Sequence, residues 1–264
     1  MIKKLSLPVL FLLLLPLGCK TPLPPNSLSV MELYTRGEKA FEKKKYGEAV
    51  DAFKKIKIEF PESNKLSIVR LRTGESYYLD EKYDEAIAEY KEFLDYHAAH
   101  KARDLARYRI GICIYKQMLT PDRDQTKTRD ALKQFKELVR DMPDSRYVEK
   151  SSARIKDCTD RLAKSEYYIG NFYYRTKHYK AAVLRLSKLL KDYPDQKIEP
   201  MAISLLAESY WKGEELERAL KTYKELLLRY PKSSYAKHAD SMLKEYGKEY
   251  GIEIEPEKRK TEEK

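Results

Sequence analysis

Three cysteines and four histidines are the residues of this 264-residue chain best suited to nucleophilic or metal chemistry. Cys19 follows Gly18 directly after an apolar run, while Cys113 and Cys158 lie mid-chain. A disulfide between the last two would need their Cα atoms within about 7 Å; separate buried thiols are expected. His97 and His100 could share a metal. No cysteine or acidic cluster adjoins them to complete a ligand set, so a solvated turn is expected there. The chain has no G-x-x-x-x-G-K-S/T phosphate cradle, no H-E-x-x-H and no G-x-S-x-G. With 9 glycines and 4 histidines an active site has little to build on. The expectation is a non-enzymatic protein without cofactor or metal, whose chemistry is that of binding.

The elements that would position a binding surface repeat along the chain. In Asp160 to Pro194, two helices flank a turn at Lys177 and His178. Ala182, Leu186 and Leu189, spaced i, i+4, i+7, form one helical face, and Pro194 stops the second helix. A small residue, a second twelve later, a large one four later and Pro eight later give Gly170, Ala182, Leu186, Pro194. The same grid fits Gly37, Ala49, Phe53, Pro61, and Gly74, Ala86, Tyr90 with Ala98 in place of proline. It fits Gly111, Ala131, Phe135, Pro143 with eight extra residues in the turn, and Ala207, Ala219, Tyr223, Pro231. Gly170 and Ala182 are expected to meet where the two helices approach. A lone helix pair cannot bury its apolar face, so stacked copies share a core. The pattern resembles the tetratricopeptide repeat in five copies. The fold class expected is all-α, a superhelical solenoid of five helix hairpins with a long central helix and a C-terminal capping helix.

In chain order, residues 1–18 read as a lipoprotein signal peptide. Lys3 and Lys4 precede an apolar stretch from Leu5 to Leu17, too short to span a bilayer comfortably. Pro16-Leu17-Gly18-Cys19 resembles a bacterial lipoprotein cleavage box, with Pro16 where leucine is usual, and implies lipidation at Cys19. Residues 19–29, with Pro22, Pro24 and Pro25, form a stiff tether. Residues 30–143 hold repeats one to three, the third interrupted by a polar loop from Leu119 to Thr128. Residues 144–250 hold a long helix from Tyr147 to about Arg175 capped by Asp144 and Ser145, then repeats four and five. A last helix capped by Ser233 and Ser234 follows, to about Tyr250. Ile155, Leu162 and Ile169 are expected to form the packed stripe of the long helix. Residues 251–264 are expected to be a disordered charged tail.

The formal charge is +11, and residues 1–18 carry two lysines and no acid, leaving +9 beyond them. Basic residues are dispersed among acids and no nucleic-acid module is visible, so no nucleic-acid partner is expected.

Three stretches exceed what tetratricopeptide proteins share in general. They are Asp122-Arg123-Asp124 leading into Ala131 to Val139, Pro143 to Tyr147, and Arg161 to Tyr167 continuing to Asp192-Tyr193-Pro194-Asp195. Through them Leu33 to about Pro231 resembles the BamD/YfiO/ComL family of outer-membrane assembly lipoproteins. The resemblance implies a lipid-anchored subunit on the periplasmic face of the outer membrane, in the machinery that assembles β-barrel proteins. It implies that the N-terminal repeats receive unfolded barrel proteins and that the C-terminal repeats dock on the POTRA domains of a BamA-type subunit. Further assembly lipoproteins are possible partners. On the concave face the first helices would present Tyr34, Phe41, Leu71, Arg72, Glu75, Tyr78, Tyr108, Arg109 and Tyr115. Rings there would bury side chains of an extended peptide and Arg would pair its carboxylate, with about half of the tyrosines spent on packing between repeats. Arg185, at the edge of a buried helical face, is the residue expected to dock on the barrel subunit. The alternative is a scaffold lipoprotein of another envelope system, in pilus assembly or cell-wall coordination.

Overall fold

The structure, a computed structural model, describes residues 28–252. Cys19, the tether up to Ser27 and the charged tail from Glu253 lie outside the described residues. Eleven α-helices and no strand fill the described part. In order they are α1 (Val30–Glu42), α2 (Tyr46–Glu59), α3 (Leu66–Leu79), α4 (Tyr83–Tyr96), α5 (Arg103–Lys116) and α6 (Thr126–Asp141). The long α7 (Val148–Arg175) is followed by α8 (Tyr179–Asp192), α9 (Glu199–Lys212), α10 (Leu216–Arg229) and α11 (Ala236–Tyr246). Each helix packs on its neighbours in chain order, and α7 also touches α9. This is a solenoid of five hairpins with α11 closing its end. Ser29 starts it with a capping box: its hydroxyl accepts from the Glu32 amide, and Glu32 accepts from the Ser29 amide.

Four of the hairpins turn in the same way. The second residue past the first helix has a positive φ: Lys44 (58°), Glu81 (60°), Lys177 (63°) and Glu214 (64°). A left-handed residue there reverses the chain in three residues. The third hairpin replaces this turn with the insertion, which runs from Gln117 to Gln125 and not from Leu119 to Thr128, because Thr126 to Thr128 already belong to α6. Gln125 is buried and ties the loop together: its amide donates to the Thr120 and Arg123 carbonyls and its carbonyl accepts from Thr128.

The small positions of the grid work differently from the expectation. A Cβ on Gly170 would lie 2.8 Å from Leu186 Cδ2, so the glycine seats Leu186 and not Ala182. The same holds for Gly37 under Phe53 (2.4 Å), Gly74 under Tyr90 (2.8 Å) and Gly111 under Phe135 (2.6 Å). The large residue of each second helix is thus pressed against bare backbone of the first. Ala182 instead joins Leu186, Leu189, Ala202 and Leu206 in the core shared with the next repeat.

Other local expectations shift too. Tyr147, not Asp144 or Ser145, occupies the N-cap of α7. Ser145 lies in the preceding turn, where its hydroxyl donates to Asp104 and accepts from the Tyr147 amide. The buried stripe of α7 is Ser151, Cys158, Leu162, Ala163 and Gly170, with Ile155 and Ile169 at its margins. The last helix starts at Ala236 with Tyr235 as N-cap and ends at Tyr246. Ile252, assigned to the tail by sequence, is buried in the core of α10 and α11, its amide donating to the Gly247 carbonyl. Cys113 and Cys158 are buried and free, in different core clusters. His97 and His100 both pack on Phe93. On the second-helix side, repeats one and two are joined by a network in which Lys57 meets Glu89 and Glu92, and Arg70 meets Glu92. Burial works to raise the pKa of Glu92, but Lys57 and Arg70 outweigh it and hold the group below the usual carboxylate range.

Candidate functional site

The first helices of successive hairpins carry an aromatic residue four places after the grid glycine: Phe41, Tyr78 and Tyr115, at intervals of 37. The seventh residue of the next first helix is an arginine each time: Arg72 in α3, Arg109 in α5, Arg154 in α7. These residue types meet face to face. The Arg72 guanidinium lies 5.0 Å from the Phe41 ring centre, Arg109 lies 4.7 Å from Tyr78, and Arg154 lies 4.8 Å from Tyr115. Three rungs of cation on ring therefore run along the first-helix side of α1, α3, α5 and α7.

Each arginine is also held by an acid. Arg72 pairs with Glu38 at 2.9 Å, Arg109 with Glu75 at 2.6 Å, and Arg154 with Asp157 at 2.8 Å. Glu75 is further fixed by the buried Tyr90 hydroxyl, which donates to its other oxygen at 3.0 Å. The Tyr115 hydroxyl likewise donates to Asp157. Burial pushes the Tyr78 and Tyr115 phenols up from their ordinary value, so both rings are neutral hydrogen-bond donors at physiological pH. The guanidiniums still have N–H groups beyond those their acids use. The surface is preorganised, half-buried and both aromatic and cationic, which suits an extended apolar segment with a negative end.

Of the nine residues expected on this face, Phe41, Arg72, Glu75, Tyr78, Arg109 and Tyr115 form the rungs. Tyr34 sits beside the first, against Phe53 with the Lys65 ammonium over its ring. Leu71 does not belong: it is buried in the core with Val50, Tyr77 and Tyr90. Tyr108 stacks on Tyr147 with ring centres 4.7 Å apart and contacts Phe135, so it joins repeats to each other. Sequence reasoning missed Glu38, Arg154 and Asp157. Arg154 was within reach, because it follows Arg109 by the 37-residue interval plus the eight inserted residues.

The insertion closes on the third rung. Tyr115, Pro121, Asp157, Asp160, Arg161 and Lys164 line a small polar cleft of about 230 Å³ there, and Arg161 donates to the Leu119 carbonyl. In the C-terminal half Glu208 of α9 is the hub, accepting from Tyr174 and Tyr223 and lying 2.6 Å from His238. Arg185 is partly exposed on α8 and lies 3.5 Å from Glu166 of α7, which Lys188 also approaches. It therefore has a partner within the chain. Among the described residues no His, Cys, Asp and Glu side chains gather where they could hold a metal, and no helix is long and apolar enough to cross a membrane.

Stacked hairpins with a lined first-helix face define a tetratricopeptide protein, and residues 202–233 match a tetratricopeptide repeat family model. More particularly, residues 26–215 match the YfiO outer membrane lipoprotein family, and the chain belongs to that family. It is 27% identical over 221 residues to the outer membrane protein assembly factor BamD of Neisseria gonorrhoeae, covering 80% of this chain and 83% of that protein. It is 28% identical over 231 residues to the BamD of Rickettsia prowazekii, covering 87% and 92%. Among solved structures it is similar to the TPR2AB domain of yeast Sti1 in its pHSP90 complex, at a TM-score of 0.45 and 14% identity, covering 83% of this chain and 86% of that one.

Proposed function

We propose that this chain is a non-enzymatic, lipid-anchored subunit of the outer-membrane β-barrel assembly machinery. Repeats one to three bind unfolded barrel proteins, and repeats four and five dock on the POTRA domains of a BamA-type subunit. The family and the BamD relatives support the machinery. The observation that carries the binding role is the ladder of Arg72, Arg109 and Arg154 stacked on Phe41, Tyr78 and Tyr115. Apolar side chains of an extended segment lie against the rings, and its terminal carboxylate takes guanidinium N–H groups that the acids leave free. The acids serve to hold each guanidinium over its ring, so that little side-chain entropy is lost when the segment binds.

Peptide titration tests this. A peptide of a barrel protein's last strand should bind the wild type. Tyr78→Ala with Arg109→Ala should weaken it at least about tenfold, since truncated interface aromatics and arginines cost most. Amidation of the peptide's C-terminus should weaken binding to the wild type and change little in the variant. Equal binding by both proteins removes the ladder from substrate recognition.

A further inference from the structure

α1 opens the solenoid, and one of its flanks borders only an open cleft at the start of α2. Leu33, Gly37 and Ala40 point into the core. About a quarter-turn round the helix from that face, Arg36, Lys39 and Lys43 are spaced i, i+3, i+7 and form one stripe along a helix about 20 Å long, with Lys43 at its C-cap. All three are exposed, and none has a carboxylate within ion-pair distance among the described residues. Together with Met31, Thr35, Lys45 and Glu48 they line an open cleft of about 460 Å³ between α1 and the start of α2. The acids there are engaged: Glu32 with Ser29 in the capping box, and Glu48 with Lys45 at 2.8 Å. The Lys45 hydrogen bond, helped by Lys45, Arg36 and Lys43 charge, holds the Glu48 carboxyl below its usual range. Met31, 56% exposed, adds an apolar contact at the end of the stripe nearest the chain's N-terminal side.

Covalent reach decides what such a surface can meet. Val30, where α1 begins, lies eleven residues beyond Cys19, and that stretch fully extended reaches about 40 Å at most. A chain held by a lipid on Cys19 keeps the start of α1 within that distance of the bilayer.

We propose that the Arg36–Lys39–Lys43 stripe with Met31 is a membrane-facing surface that binds the headgroups of anionic phospholipids. The proposal goes beyond the barrel-assembly reading and borrows from it only the lipid on Cys19. Three cations and an apolar side chain around one open cleft match a surface of phosphate groups over hydrocarbon. Held there, the first hairpin fixes the angle at which the solenoid leaves the membrane and keeps the ladder rungs, on another face, open to an incoming segment.

The test uses the chain from residue 19 onward with Cys19→Ser, so that no acyl chain contributes. It is floated with vesicles of phosphatidylcholine alone and with vesicles containing about one-third phosphatidylglycerol. Each cation near an anionic leaflet is worth about fivefold in partitioning, so the stripe should give on the order of a hundredfold preference for the anionic vesicles. Arg36→Glu with Lys39→Glu and Lys43→Glu should abolish the preference, as should salt that shortens the screening length. The exposed Lys133→Glu with Lys136→Glu on α6 is the comparison. Equal binding to both vesicle types overturns the proposal. So does an equal loss in the α6 variant, which would make the attraction one of diffuse charge. A dimer in light scattering that the α1 variant alone disrupts would assign the stripe to a second copy and overturn it as well. Co-purification with a barrel subunit, measured separately, reports on the assembly reading whichever way the flotation falls.

Discussion

The Arg109 guanidinium lies over the Tyr78 ring, 4.7 Å from its centre, while Glu75 holds it at 2.6 Å. Tyr78 and Glu75 are on α3 and Arg109 is on α5, so this contact joins two repeats and also forms surface. Lysine can keep the charge but not the guanidinium's several fixed N–H donors, which let Arg109 hold Glu75 and lie over the ring at once. Arg109→Lys should lower the affinity for a barrel protein's terminal peptide by about three- to tenfold, the worth of a cation–ring contact. The melting temperature should fall by only a few degrees, since the pair is partly solvated. Isothermal titration with parallel thermal melts checks both. A lysine variant that binds as the wild type does would reduce the rung to a structural contact.

The seating of large residues on bare backbone gives a sharp contrast between two glycines. Gly74→Ala would bring a Cβ to 2.8 Å from the Tyr90 ring, and Tyr90 is fully buried and bonded to Glu75. Overpacking of this kind costs about 1–3 kcal/mol. Gly47 has nothing within 4 Å, and Gly47→Ala should be neutral or stabilising by up to about 1 kcal/mol. Urea unfolding of both variants reads the difference directly.

The repeat register and the five hairpins were legible in the sequence because the second small position keeps a fixed offset to the large residue and, in four of the five repeats, to a proline. The long helix was legible because no proline or glycine interrupts Tyr147 to Ile169. The partner of the small position was not. Spacing shows that Gly170 and Ala182 recur together, but helix rotation decides that Leu186 lands on the glycine. The ladder was half legible for a similar reason. Aromatic and arginine positions repeat in one dimension, whereas Glu38 acquires its role only when α1 and α3 come side by side, and Asp157 breaks the repeat by pairing with Arg154 within α7. Leu71 and Tyr108 show the converse: they share the helix positions of Tyr34, yet neighbouring side chains draw them into packing.

Burial pushes the Cys113 thiol up to about 12 and the Cys158 thiol up to about 11. The thiolate is the reactive form, so at pH 8 neither should label with a maleimide in the native protein, and both should label in denaturant. Peptide mapping distinguishes them from Cys19. The sign of the stability effect follows. Groups whose pKa rises on folding contribute stability that is fully present below the unfolded value of 9.0 and is lost as pH rises through the folded values. Native stability should therefore fall between about pH 9 and 12, and less steeply in Cys113→Ala with Cys158→Ala.

Arg185 carries two readings that a second substitution separates. It is partly exposed and 3.5 Å from Glu166. Glu166 is mostly buried, so Arg185→Glu sets a second carboxylate beside it and should lower the melting temperature by a few degrees as well as weaken co-purification with the barrel subunit. If the residue matters only through Glu166, adding Glu166→Lys to Arg185→Glu should restore the complex. If it meets a carboxylate on a POTRA domain, only an acid-to-lysine change on that partner should do so.

The most direct measurement is affinity purification of the full chain from detergent-solubilised membranes, followed by mass spectrometry. The account expects a stoichiometric outer-membrane β-barrel protein bearing periplasmic POTRA domains, retained at moderate salt, and lost when repeats four and five carry charge reversals that leave the fold intact. Recovery of pilus-assembly or cell-wall proteins in its place, with no such barrel protein, would contradict it.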